Sequence, residues 1–225
     1  NAEVNLAISK CKQDHLYISS YPRNCECLQL LPEEKTIIDE MKANKKVIGY
    51  FPTFRSDLSG YVHPLEDPDL LNYINNNNIL WVEKKHSFDH NSGNGPKADN
   101  TLILNQNFDI NVLYGLFDLV LSDYSSVVFD CAYKKIPVVM YCPDLEKFKK
   151  GDVGFLFDIE TYCNSILTKT TVGCKEKIEQ CYNGSFFSET VQNTYQTIRK
   201  DFFDDRDSDY LHIWKDMENI INLGK

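Results

Sequence analysis

The stretch Asp118-Leu119-Val120-Leu121-Ser122-Asp123-Tyr124-Ser125-Ser126 decides the fold that we predict for this chain of 225 residues. Its apolar residues are typical of a buried strand in a parallel sheet, and the apolar periodicity of residues 127–133 predicts a helix. A hydroxyl of Ser125 or Ser126 can cap that helix. The same turn can also bind a phosphate, because free N–H groups and the positive end of the helix dipole meet there. At this point an ordinary capped helix and a phosphate site are both open.

Strands and helices alternate along the rest of the chain. The predicted strands are 16–18, 46–51, 79–83, 101–104, 118–122, 137–141 and 155–157. The predicted helices are 4–11, 32–43, 67–75, 111–117, 127–133, 145–149 and, with a break near 204–208, the chain beyond residue 175. This alternation predicts an α/β fold, a Rossmann-like parallel sheet with helices on both faces. In such sheets ligands bind beyond the carboxyl ends of the strands.

Composition narrows the classes of protein to consider. The formal net charge of −9 argues against a protein that coats nucleic acid, so an anionic ligand would have to meet local positive charge. The eight cysteines include no CxxC pair, and we interpret them as free thiols of a reducing compartment, with a disulfide framework as the alternative. We find neither a transmembrane span nor a signal peptide. Because the chain begins at Asn1 and not at Met, we expect a fragment of a longer protein.

Polar residues follow three predicted strands. Residues 52–55 (PTFR) follow one strand, residues 84–86 (KKH) another, and residues 123–126 (DYSS) a third. His86 is the only one of five histidines that directly follows a predicted strand beside two lysines. A structural histidine and a solvated lysine pair are the ordinary alternative. Their coincidence with the serine turn favours a binding site.

Six segments in order resemble the C-terminal domain of the CDP-glycerol glycerophosphotransferase family, the teichoic acid and capsule polymer transferases. The family patterns are GYPRND, YAPTFR, KxHP, DYSSVxFD, KPIIFYxxD and RGFxFD. The matching segments are 21–24 (YPRN), 50–55 (YFPTFR), 84–87 (KKHS), 123–130 (DYSSVVFD), 135–144 (KIPVVMYCPD) and 153–158 (VGFLFD). Each segment alone is weak evidence, but their order and the unbroken DYSS make the resemblance specific from about residue 19 to the end.

The resemblance implies a GT-B fold, of which this chain would be the C-terminal, nucleotide-binding half. We therefore expect residues 1–225 to form a single domain with its C-terminal helices packing back on it. The N-terminal domain of the same enzyme would be absent, and with it the histidine of the family's WHGTP motif, which is held to activate the acceptor. The isolated chain should then be inactive. In the full-length enzyme we expect peripheral membrane contact, through parts outside this chain, at the cytoplasmic face.

The resemblance also implies which residues bind CDP-glycerol or a related CDP-polyol. They are Arg23, Pro52, Thr53, Lys84, Lys85, His86, Ser125, Ser126 and Asp130. The two serines would hold the diphosphate, and the cations would add charge. His86 would be catalytic, neutralising the transferring phosphate or protonating the leaving CMP. The acceptor hydroxyl of a polymer or lipid-linked substrate would attack the β-phosphorus, without a metal or other cofactor.

The chain also departs from the family pattern at several positions. Ser87 replaces the proline of KxHP, Ser20 replaces the first glycine of GYPRND, and residues 207–209 (DSD) stand where the family has DGxxS. Two other functions therefore stay open. One is a GT-B glycosyltransferase that uses a sugar nucleotide, and the other is a nucleotide-binding domain without catalysis.

Overall fold

A computed structural model of the chain describes residues 32–42, 45–53, 55, 61–84, 96–104, 110–151, 155, 157–203 and 211–223. Residues 30–196 form one compact unit, and residues 197–203 and 211–223 belong to a second one. The predicted elements at 4–11 and 16–18 and the break near 204–208 lie outside the described residues. The expectation of a single domain stays a prediction.

The unit of residues 30–196 is built on one sheet of six parallel strands. The strands are β1 (Val47–Phe51), β2 (Leu80–Lys84), β3 (Thr101–Leu104), β4 (Leu119–Ser122), β5 (Val138–Tyr141) and β6 (Leu167–Thr168). Their order is β3-β2-β1-β4-β5-β6, and every neighbouring pair is parallel. This is the order of a Rossmann sheet, and the direction of strand succession reverses between β1 and β4. The predicted fold class is confirmed.

Helices fill the connections and the C-terminal part of the chain. They are α1 (Pro32–Lys42), α2 (Pro68–Asn76), α3 (Val127–Tyr133), α4 (Leu145–Lys150), α5 (Ile159–Cys163), α6 (Thr171–Tyr182), α7 (Glu189–Phe202) and α8 (Leu211–Leu223). Two 3₁₀ turns, Pro64–Glu66 and Ile110–Leu113, complete the described elements. None of the helices in these ranges is both long and apolar enough to cross a bilayer.

Three predictions of secondary structure were wrong. Residues 111–117 do not form an α-helix: a 3₁₀ turn covers Ile110–Leu113, and a second turn follows, in which the Leu116 N–H donates to the Leu113 carbonyl oxygen; both leucines are buried. Neither Phe155 nor Phe157 lies in a strand. The chain beyond residue 175 is not continuously helical before residue 204, since α6 ends at Tyr182 and Gly184 takes a φ of 81°.

The middle of the sheet is buried because its strands are short, mostly apolar runs covered on both faces. All residues of β1, β4 and β5 are buried. Tyr50 pairs with Glu83 of β2, and Phe51 pairs with Ser122 of β4. These three neighbouring strands therefore end at the same level, and the residues that follow them meet at one edge of the sheet.

Gly49 in β1 lies where this packing leaves no room for a side chain. A Cβ atom there would lie 2.7 Å from the Phe51 ring and 3.0 Å from the Phe117 ring. Both rings are buried, so neither can move away freely. We predict that Gly49→Ala lowers the free energy of unfolding by about 1–3 kcal/mol, measured by urea unfolding.

Gly115 provides the matched control. It is exposed, and a Cβ atom there would have nothing within 4 Å. We expect Gly115→Ala to change the free energy of unfolding by less than about 0.5 kcal/mol. Equal losses for the two variants would contradict the tight packing assigned to β1.

Candidate functional site

The described polar groups converge at the carboxyl edge of the sheet, where the strand order reverses between β1 and β4. Thr53 lies two residues after β1, and Asp123 directly follows β4. Asp144 lies three residues after β5, the next strand along. A crevice at such a reversal point is the usual ligand site of an open α/β sheet. The geometry of the fold thus places these residues where a ligand is expected.

Arg55 joins the ends of these three strands. Its Nη1 lies 2.8 Å from Asp123 Oδ2 and donates to the Thr53 carbonyl oxygen, also at 2.8 Å. Its Nε and Nη2 donate to the two oxygens of Asp144 at 2.6 and 3.1 Å, a bidentate contact. The side chains of Arg55, Asp123 and Asp144 are only 5, 3 and 4% exposed. A buried ionic cluster therefore fixes the loops that follow β1, β4 and β5 relative to one another.

The cluster contains one arginine and two aspartates, and its contacts shift the pKa values of Arg55 and Asp144. Burial alone would lower the pKa of Arg55, but its hydrogen bonds to Asp144 and the charge of Asp123 raise that pKa above its ordinary value. Burial alone would raise the pKa of Asp144, but the hydrogen bonds and charge of Arg55 hold it below its ordinary value. Tyr124 donates its hydroxyl to Asp144 Oδ1 at 2.8 Å and stabilises the same carboxylate.

Thr53 and Asp123 are bound to each other by both donors of the threonine. The Thr53 backbone N–H donates to Asp123 Oδ1 at 2.9 Å, and the Thr53 hydroxyl donates to the same oxygen at 2.6 Å. The backbone N–H of Tyr124 also donates to Asp123 Oδ1, at 2.6 Å. Asp123 therefore connects the β1 loop to the start of the serine turn.

The serine turn follows Asp123 and leads into α3, as predicted. Ser125 Oγ accepts from the backbone N–H of Val127 at 3.3 Å, so Ser125 supplies the side-chain cap. Ser126 occupies the N-cap position, but its side chain makes no capping bond and is exposed. The sequence left the choice between the two serines open, and the structure assigns the cap to Ser125.

Aromatic rings enclose the cluster. The Tyr124 ring stacks on Phe148 of α4, with centroids 3.8 Å apart, and meets the Phe155 ring edge-on at 5.5 Å. The Arg55 guanidinium lies 4.3 Å from the centre of the Tyr61 ring. Burial and the nearby charge of Asp123 raise the pKa of Tyr61, and burial raises the pKa of Tyr124, so both phenols stay protonated at neutral pH.

His63 lies near the same strand ends but has a structural environment. Its Nδ1 accepts from the backbone N–H of Leu65 and thereby caps the 3₁₀ turn at Pro64–Glu66. Its Nε2 lies 3.6 Å from Glu83 Oε2, and its ring meets Tyr50 edge-on with centroids 5.0 Å apart. We assign His63 to the packing over β1 and β2.

Six of the predicted site residues lie in the described part of the chain. Thr53, Ser125 and Ser126 lie around Asp123, with Pro52 next to Thr53. Lys84 is partly buried at the end of β2. Asp130 is buried in α3, with an oxygen 3.3 Å from the Tyr114 hydroxyl. The other predicted site residues, Arg23, Lys85 and His86, lie outside the described residues.

Sequence reasoning missed the residues of the ionic cluster as site residues. Arg55, Asp123 and Asp144 each lie in a segment that resembles the family, but the prediction gave them no role. Their shared position just after a buried strand was the signal that could have identified them. Because Arg55 and Asp144 lie 89 positions apart, only the strand order makes them neighbours.

Comparisons with known proteins support the resemblance. The family model described as CDP-glycerol:poly(glycerophosphate) glycerophosphotransferase matches residues 6–210. The chain is 33% identical over 172 residues to the teichoic acid poly(glycerol phosphate) polymerase of Bacillus subtilis (strain 168), covering 72% of this chain and 23% of that protein. It is 24% identical to the teichoic acid ribitol-phosphate primase of Bacillus spizizenii (strain ATCC 23059 / NRRL B-14472 / W23), covering 89% of this chain and 51% of that protein.

Solved structures show the same fold. The wall teichoic acid polymerase TagF matches with a TM-score of 0.71 at 22% identity, over 98% of this chain and 56% of the polymerase chain. A variant of that polymerase soaked with CDPG matches with the same TM-score at 19% identity, over 100% of this chain and 57% of that one. These likenesses confirm a Rossmann-like half of a GT-B fold. The chain spans about a fifth to somewhat over half of the proteins that it matches.

The ionic cluster leads to a prediction about stability. Arg55→Leu would leave two buried carboxylates without their cation, so we expect it to lower the free energy of unfolding by about 3–5 kcal/mol at pH 7. Because the folded pKa of Asp144 lies below the ordinary value of about 3.9, its pairing stabilises the wild type above that pH. This stabilisation is lost as the pH falls through the folded pKa, so the difference between the proteins should shrink in acid. Urea unfolding at pH 7 and at about pH 2, well below the ordinary pKa of an aspartate, measures both effects.

Lys42→Leu provides the control. Lys42 lies 3.5 Å from Asp118, and this pair is partly solvent-exposed. We expect its loss to change the free energy of unfolding by less than about 1 kcal/mol. A similarly small effect for Arg55→Leu would show that the buried cluster does not hold the three loops.

Proposed function

The chain belongs to the CDP-glycerol:poly(glycerophosphate) glycerophosphotransferase family, and on this basis we propose that it binds CDP-glycerol or a related CDP-polyol. Within the complete enzyme it would support transfer of glycerol phosphate to an acceptor hydroxyl during teichoic acid or capsular polymer synthesis, with release of CMP. The observation that carries the proposal is the meeting of Thr53 and the serine turn at the reversal point of the sheet.

We place the diphosphate of the donor at the serine turn. Ser125 Oγ accepts a hydrogen bond from Val127 N–H, so its own hydrogen can point to a phosphate oxygen. Ser126 is exposed beside it, and its hydroxyl can do the same. Asp130, one turn further along α3, would help to hold this turn from the buried side.

Cations have to balance the diphosphate, because the cluster of Arg55, Asp123 and Asp144 carries a net charge of −1 and its arginine is already paired. Lys84 ends the strand next to β1 and is the described lysine that we place nearest the ligand. By family pattern, Arg23 and Lys85 would contribute two further charges. Pro52 would shape the turn that presents Thr53.

We assign the catalytic role to His86. The acceptor oxygen would bond to the β-phosphorus while the bond from that phosphorus to the bridging oxygen of CMP breaks. His86 would protonate that leaving oxygen or neutralise charge on the transferring group. The proton of the acceptor hydroxyl would go to a base in the N-terminal domain, so we propose that the isolated chain transfers nothing.

The partners follow from the same proposal. The acceptor would be a polymer or a lipid-linked molecule, and the full-length enzyme would work at the cytoplasmic face of the membrane. A GT-B glycosyltransferase would prefer a sugar nucleotide such as a UDP-sugar. A regulatory domain would bind the nucleotide, but its full-length parent would not turn over.

Ligand titration tests the proposal on the chain itself. We predict that calorimetry detects binding of CDP-glycerol or CDP-ribitol in preference to UDP. Ser125→Ala should weaken donor binding by about 3- to 10-fold, because one hydrogen bond to phosphate is lost while the backbone groups of the turn remain. Thr36→Ala, which removes an exposed hydroxyl of α1, is the matched control and should leave binding unchanged. A preference for UDP or UDP-sugars would instead support the glycosyltransferase.

Turnover tests the role of His86. In the full-length parent, His86→Ala should lower the rate of transfer by about 10²–10⁴-fold at saturating donor while the thermal melt stays unchanged. Ser125→Ala should act mainly on KM. Near-normal turnover of His86→Ala would exclude the catalytic role, and polymer extension by the 225-residue chain alone would exclude the need for the missing domain.

A further inference from the structure

The Thr53 hydroxyl has only one direction in which its hydrogen can point. Thr53 Oγ1 lies 2.6 Å from Asp123 Oδ1, and Asp123 is ion-paired with Arg55. An ionised carboxylate accepts hydrogen bonds and cannot donate them. The hydrogen between the two oxygens therefore belongs to Thr53, and the threonine is the donor.

This orientation is fixed by the surroundings. Asp123 is only 3% exposed, so water cannot readily replace the hydroxyl of Thr53 as its partner. The Thr53 backbone is held as well, because its N–H donates to Asp123 and its carbonyl oxygen accepts from Arg55. Rotating the hydroxyl away would leave a buried carboxylate with one hydrogen bond fewer.

A threonine in this state can only accept a hydrogen bond from a ligand. Thr53 is partly exposed, and a ligand that meets its hydroxyl would meet the lone pairs that do not face Asp123. Phosphate oxygens at neutral pH also accept, and two acceptors do not form a hydrogen bond. The group opposite Thr53 must therefore carry a hydrogen of its own.

The Ser125 hydroxyl, unlike that of Thr53, can donate a hydrogen bond to a ligand. Its oxygen accepts from Val127 N–H, which leaves its hydrogen free to donate to a phosphate. Asp123 accepts from the Thr53 hydroxyl and from the backbone N–H of Tyr124, the residue before Ser125, so one carboxylate holds both Thr53 and the start of the turn that carries Ser125. Ser125 therefore suits a phosphate, and Thr53 suits a group that is bonded to that phosphate.

We propose that Thr53 is a specificity-determining residue that accepts a hydrogen bond from a sugar or polyol hydroxyl of the donor. The proposal rests on the proposed function, in which a diphosphate lies at the serine turn. In a CDP-polyol the polyol and the ribose are each bonded to the diphosphate, whereas the base is one sugar further away. The hydroxyl therefore comes from one of these two groups, and the base and the phosphates make their contacts elsewhere.

Calorimetric titration of the chain and its Thr53 variants tests the proposal. Thr53→Val keeps the shape of the side chain but removes the acceptor, whereas Thr53→Ser keeps the hydroxyl. We expect Thr53→Val to weaken CDP-glycerol binding by about 3- to 10-fold, with Thr53→Ser close to wild type. Inorganic pyrophosphate, which has no sugar or polyol hydroxyl, should bind wild type and Thr53→Val equally when titrated above about pH 9.5, where it carries no proton. Thr53→Ala also lacks the hydroxyl and keeps the backbone bond to Asp123, so it replaces Thr53→Val if that variant does not fold. It should weaken CDP-glycerol binding to the same extent.

Ligands that lack the hydroxyls of either the glycerol or the ribose identify the group that Thr53 contacts. The propyl ester of CDP lacks the glycerol hydroxyls, and the glycerol ester of 2′,3′-dideoxy-CDP lacks those of the ribose. One of the two analogues should bind wild type and Thr53→Val with equal affinity. That result would support the proposal and show whether the glycerol or the ribose donates the hydrogen bond. Loss of pyrophosphate affinity in Thr53→Val, or an undiminished effect with both analogues, would overturn it. A wild type that binds no cytidine nucleotide would overturn the proposed function as well.

Discussion

The buried guanidinium of Arg55 is the interaction on which the candidate site depends. It bonds to carboxylates that follow β4 and β5 while its own backbone follows β1, so a single side chain fixes three loops. Removing three charges from water is costly, and the cost is offset only when each is fully hydrogen-bonded. Here Thr53, Tyr124 and the backbone supply the remaining bonds. This cluster of described residues is therefore rigid before any ligand arrives.

This rigidity determines which chemistry each hydroxyl can offer. Because Asp123 takes the hydrogen of Thr53, that oxygen is left as an acceptor, while Ser125 keeps a hydrogen to donate. A flexible pair of hydroxyls could adapt to either kind of ligand atom. In the proposed complex, Thr53 would accept from an alcohol while Ser125 donates to a phosphate, and this difference would distinguish the two parts of a CDP-polyol.

The sequence predicted the elements whose signals are local. The strand at Thr101–Leu104 and the helix at Val127–Tyr133 have the predicted bounds, because apolar periodicity and turn residues define both. It failed where tertiary packing decides, as at Phe155, which packs on Tyr124 instead of forming a strand. The serine turn was predicted, but the Arg55 cluster was not, because periodicity carries no information about which loops meet across a sheet.

A crystal structure of the chain with CDP-glycerol bound tests the central claim most directly. The account predicts diphosphate oxygens within hydrogen-bond distance, about 3 Å, of Ser125 and a sugar or polyol hydroxyl at a similar distance from Thr53 Oγ1. The Arg55 cluster should keep its contacts without rearrangement. A phosphate oxygen against Thr53, or a nucleotide bound away from the β1–β4 edge, would contradict the account.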